Sequence, residues 1–326
     1  MRFSRFGVIV LIALTAMLGA NCSFYSRIMA RKNLVDGSKD YKERKFQEAE
    51  QLFRDAVSRD PDGSTVEGRT AQLFLARTLH SEYIGDRGKK EKAEEAIQEY
   101  KKALSFDKND QSSYKAVASL LENLQRTDEW QAWVVERSKN EQILPQYRAE
   151  ALVGLAAKQN TCANDITDTD QTKKTVTKDG KQIFEFVKPQ NEADYQQLKQ
   201  CIDQGNALID QALALEPADV KNAASLDVKP MSDQQLNEKL DVLRVFESAR
   251  SYKASLLVQA MRLAEMEGRT QDRDRLKTEA DAARERFLEL SNVTKAIQNE
   301  IDARNAAKEA AANPESGNSN ANSQAK

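Results

Sequence analysis

Apolar positions recur along this chain at three- and four-residue spacing, the period of helices that bury one face. In KFQEAEQLFRDAVSRDP, residues 45–61, Ala49, Phe53 and Ala56 share a face, and Asp60 and Pro61 close the segment. The same grammar returns in Ala96, Tyr100, Ala103 and Asp107, with Lys108 at the proline position. It returns again in Gly205, Ile209, Ala212, Glu216 and Pro217. A small residue lets a neighbouring helix approach, and the large residue one turn on fills the gap. Proline then ends the helix, because it supplies no N–H and clashes with the preceding turn. Each of the first two segments follows an amphipathic partner. ARKNLVDGSKDYKERK carries Gly37 and Tyr41, and TAQLFLARTLHSEY carries Leu75, Ala76 and Leu79.

Gly37, Ala49 and Pro61 together match the tetratricopeptide repeat, a helix–turn–helix unit of about 34 residues. Residues 30–63 carry the resemblance well, and residues 69–109 carry it with an insertion, IGDRGKKEK, in the inner turn. The resemblance implies antiparallel helix pairs stacked into a right-handed superhelix. A third unit places Tyr114, Val117, Ala118 and Leu121 on one helix and Trp130, Trp133 and Val134 on the next, read as core. A fourth is split. Its first helix, QYRAEALVGLAAKQN, turns Ala151, Gly154 and Leu155 inward and ends at Cys162. Its second is EADYQQLKQCIDQGNALIDQALALEP. Between them KKTVTKDGKQIFEFVKP alternates around Asp179-Gly180, the strongest short-range signal of a β-hairpin. A last pair follows, broken by Gly268–Thr270, with Leu276, Ala280, Ala283 and Phe287 on one stripe. The prediction is an all-α array of four to five stacked helix pairs with a small hairpin near 174–188.

The N-terminus breaks the pattern. Arg2 and Arg5 precede an apolar run from Phe6 to Ala20, followed by Asn21 and Cys22. A positive start, an apolar stretch and small residues describe a secretory signal, and the run is shorter than the roughly 20 residues of a spanning helix. An uncleaved anchor reaching Ser26 is the alternative. LGANC resembles a bacterial lipoprotein signal, with Asn21 where that pattern has Gly, Ala or Ser and Leu18 one place early. It implies a lipid on Cys22. The other two cysteines, Cys162 and Cys201, then form an even pair suited to a disulfide in an oxidising compartment. Two buried free thiols are the other reading.

The boundaries follow: 1–22 signal peptide or anchor, 23–145 three repeats, and 146–218 a split repeat with insertion 162–190. Residues 219–312 form a long helical pair, and 313–326, without apolar content, a disordered tail.

Composition sharpens the class. Of 326 residues, 31% are charged and 6% aromatic, with twelve glycines and six prolines, which favours helix. Net charge is −2 with signs interspersed, so no nucleic-acid footprint exists. One histidine, His80, excludes most hydrolase and metal arrangements. Asp165, Asp168 and Asp170 lack the glycine and terminal glutamate of a calcium loop. No catalytic, metal or cofactor residue is predicted. The residues singled out are packing positions: Gly37, Ala49, Phe53, Ala56, Pro61, Ala76, Ala96, Tyr100, Ala103, Gly205, Ile209, Ala212 and Pro217.

Stacked repeats expose an extended surface for a protein or peptide. The expected function is therefore a non-enzymatic scaffold, exported and membrane-anchored through its N-terminus in a bacterial envelope, facing the periplasm. Ser23 after the cysteine suits outer-membrane placement. The alternatives are an inner-membrane signal anchor, a glycan- or peptide-processing enzyme centred on the insertion, and a passive spacer.

Overall fold

A computed structural model describes residues 5–312, with side chains from residue 24 onward. The side chain of Cys22 and the tail 313–326 lie outside the described residues. The chain divides after Trp133 into two compact units, and each is taken by itself.

Unit 1 contains α1 (Arg5–Lys42), α2 (Phe46–Ser58), α3 (Val66–Gly85), α4 (Lys90–Phe106) and α5 (Gln111–Asn123), and α6 (Thr127–Lys139) begins in it. Pairing is antiparallel. Gly37, in the last turns of α1, meets Phe53 midway along α2, while Tyr41 meets Phe46 beside the turn. In α3 and α4, Glu82 lies near Lys92 by the turn and Gln72 reaches Glu99 farther out. The core is Ala49, Phe53, Leu75, Leu79, Ala96, Ile97, Tyr100, Val117 and Leu120, with Trp130 and Trp133 partly buried against it. Tyr114 stacks on Trp133, whose indole N–H donates to the Tyr114 carbonyl.

Unit 2 holds α7 (Pro145–Thr167), strands β1 (Lys173–Lys178) and β2 (Lys181–Phe186), and α8 (Glu192–Ala214). A single short turn of helix, α9 (Ala218–Lys221), precedes the long pair α10 (Asp233–Met266) and α11 (Thr270–Ala312). Ser232 and Gln235 form a capping box that starts α10. Contacts run head to tail along α10 and α11: Arg250 donates to the Arg286 carbonyl, Thr294 to Glu247, and Arg304 reaches Asp233. Their shared core is Leu236, Leu240, Leu243, Phe246, Leu290, Ile297 and Ile301. The fold is thus all-α in helix pairs with one two-stranded antiparallel hairpin, as the periodicity predicts.

Two local expectations are corrected. Cys162 lies inside α7, which runs on to Thr167 because Thr172 satisfies the Ile166 and Thr167 carbonyls and closes the helix end. Gly154 does not face a neighbour: a Cβ there would meet nothing within 4 Å.

Candidate functional site

In unit 1, α1 packs on both α2 and α3, and side chains of α1 and α3 together line one stretch of its surface. A cleft of about 620 Å³ lies on it, lined by Leu34, Val35, Ser38, Lys39, Lys42 and Glu43 of α1 with Thr70 of α3. Val35 is 60% exposed at its floor. Beside the cleft Tyr41 packs inward against the core, its hydroxyl 3.2 Å from Ser81 Oγ and its ring edge-on to Phe74. Arg77 lies over the Phe74 ring and donates to Ser112 Oγ. The cleft itself is thus aliphatic, from Leu34 and Val35, with lysine, glutamate and hydroxyl groups around it. Such a surface can bury apolar side chains and hold main-chain or acidic groups at its rim.

The packing residues predicted from spacing sit beneath this face. Ala49, Phe53, Ala56, Ala76 and Ala96 are fully buried, and Tyr100 and Ala103 nearly so. Gly37 is pressed against the Phe53 ring, where a Cβ would come within 2.8 Å. In unit 2, Ile209 and Ala212 are fully buried, and a Cβ at Gly205 would stand 2.6 Å from Leu256 and 3.1 Å from Gln159. Pro61 is exposed and Pro217 half-buried, each three residues past a helix end, at Ser58 and Ala214. His80 is half-buried, its ring edge-on to Tyr100, and burial followed by the nearby Arg87 pushes its pKa down. Burial pushes the Tyr100 hydroxyl up.

The structure also shows contacts that spacing does not reveal. Asp60 opposes burial with four hydrogen bonds, from the side chains and backbone N–H groups of Thr65 and Ser64, and its pKa falls to about 2. Gly68 packs on that carboxyl so closely that a Cβ would overlap it. The run DGSTVEG held the signal, a glycine one turn into a capped helix. Deeper in, Glu50 accepts from Lys92 at 2.5 Å and from Arg54 at 2.7 Å, with Glu82 3.5 Å from the same lysine. The Glu82 side chain is 4% exposed and its Oε1 has no partner among the described residues. Burial and then Glu50 raise the Glu82 pKa, while Lys92 and Arg54 overcome burial to lower that of Glu50.

In unit 2 the Cys162 and Cys201 sulfurs stand 2.01 Å apart across α7 and α8. Asp168 is held by Lys173 at 2.6 Å. Among the described residues no group of three His, Cys, Asp or Glu could hold a metal ion, and no helix is long and apolar enough to cross a membrane.

No family model matches the chain, and no curated protein does. Among solved structures, one described as the functional characterization of Pseudomonas aeruginosa PilF is similar at 15% identity, covering 83% of this chain and 99% of that one, with a TM-score of 0.31.

Proposed function

We propose that this protein is a non-enzymatic scaffold, anchored through its N-terminus at a bacterial envelope membrane, that holds a protein or peptide partner on the open α1–α3 face. The cleft floored by Leu34 and Val35 and rimmed by Lys39 and Lys42 carries this reading. It is an apolar depression on a repeat array, with polar groups around it rather than converging catalytic ones.

Three observations support the location. The positive, apolar N-terminal segment has the pattern of an export signal, with Cys22 as the proposed lipid acceptor and an uncleaved inner-membrane anchor as the other form. Phe24, Tyr25 and Ile28 follow it on the outer side of α1, 67%, 61% and 49% exposed, with Arg31 and Lys32 beside them. Large exposed aromatics next to basic residues suit a headgroup zone. The paired sulfurs of Cys162 and Cys201 suit an oxidising compartment.

Site-specific photocrosslinking in the native host tests the partner. A probe at Val35 is expected to capture a discrete polypeptide, while one at Glu48, exposed on α2, captures none. Equal labelling from both positions, or none from Val35, would overturn the scaffold reading.

A further inference from the structure

We infer that the outward face of the β1–β2 hairpin is a docking surface for an anionic lipid bilayer, an inference that rests on the membrane-anchored reading for the bilayer's presence. The register sets the two faces. Lys174 opposes Glu185, Val176 opposes Ile183, and Lys178 opposes Lys181 on one of them. Lys173 opposes Phe186, Thr175 opposes Phe184, and Thr177 opposes Gln182 on the other. The second face is engaged at its base. Phe186 lies under Arg262 of α10 and its backbone N–H donates to Glu265, while Lys173 pairs with Asp168 and lies over the Phe184 ring, which stays 58% exposed.

The first face is also tied at its base, where Lys174 donates to the Asp170 carbonyl. Its centre is the aliphatic cross-strand pair Val176–Ile183, with Ile183 39% exposed. Around that centre stand Lys178 and Lys181, and Lys174 opposite Glu185, with Asp179 in the turn as the other acid. At the tip, Lys178 and Lys181 face each other directly across the Asp179–Gly180 turn. Like charges directly opposed weaken a hairpin, so this arrangement favours a negative surface that both can meet at once. An aliphatic patch ringed by lysines is the chemistry of a shallow contact with acidic headgroups. A peptide added as a third strand would instead use the strand edges and leave the lysines aside.

The test uses the full chain on nanodiscs of phosphatidylcholine alone or mixed with phosphatidylglycerol, read by hydrogen–deuterium exchange. Amides of 173–188 should slow only on the anionic discs. Replacing both tip lysines (Lys178→Gln, Lys181→Gln) should reduce that slowing about 30-fold at low salt, from roughly fivefold per lysine. Ile183→Thr, which keeps a β-branched strand residue, should reduce it with the lysines intact. Unchanged exchange on discs that do carry the chain would overturn the hairpin proposal and leave the anchor standing. Recovery on anionic discs alone, lost with the lysines, would support the hairpin and sink the anchor. A chain that stays off both discs overturns both, and equal slowing by soluble poly-glutamate would reassign the face to acidic protein.

Discussion

Asp60, just before α3, and Glu82, within it, respond to acid in opposite senses. The Asp60 pKa is depressed, so its contribution to stability is complete above the unfolded value and is lost as pH falls through about 2. Asp60→Asn should therefore cost about 1–2 kcal/mol at pH 7, discounted for partial exposure, and flatten the acid limb of stability against pH. Glu82 is raised, so its stabilising form is present below the unfolded value and is lost as pH rises through the folded one. Glu82→Gln, which mimics that protonated form, should raise Tm at pH 7 and leave it unchanged in acid. A thermal melt of each variant across pH decides both. The Gly68 site couples to the first. Gly68→Ala should cost about 1–3 kcal/mol by overpacking. In an Asp60→Ala background it should cost less than the sum of the two changes, because the carboxyl it strikes is gone. Strict additivity in denaturant titrations would show that the two do not touch.

At the scale of the element, periodicity reveals which helices exist but not how far they run or which glycines are contacts. The small–large–small grammar marks α2, α4 and α8 because close helix approach leaves a composition that sequence records directly. Asp179-Gly180 marks the hairpin because few other residues accept positive φ at both turn positions, 52° and 75° here. The end of α7 was hidden, since Thr172 closes it from five residues beyond, a contact that local spacing does not encode. The open face of α1 and α3 was equally hidden: the family resemblance implies a groove on the inner helices, but Val35 and Lys39 look like ordinary surface residues. Glycine gives the sharpest check. Gly205→Ala, pressed between Leu256 and Gln159, should destabilise by about 1–3 kcal/mol. Gly154→Ala, with open space around it, should stabilise by about 0.5–1 kcal/mol through helix propensity alone. Circular dichroism melts showing the same sign for both would refute this assignment of contacts.

For the whole molecule, α1 is the element with the widest consequence, because one helix leads from the apolar N-terminal segment into the first repeat without a break. On the proposed anchored reading, removing residues 1–23 should shift the chain into the soluble fraction with most of its helical content kept, as fractionation and far-UV circular dichroism would show. The sulfur pair acts at the same scale. Its partners are 39 positions apart, and loop closure of that length stabilises by about 4 kcal/mol. Reductant should lower the midpoint of unit 2 accordingly. The same geometry decides how the chain meets a protease. The hairpin projects several exposed lysines between Cys162 and Cys201, so trypsin should cut there first. A cut at Lys178 or Lys181 separates the polypeptide into two pieces that remain tied by sulfur. The nicked protein should migrate as one band without reductant and as two with it, and a damaged molecule would hold together only while those two sulfurs are joined.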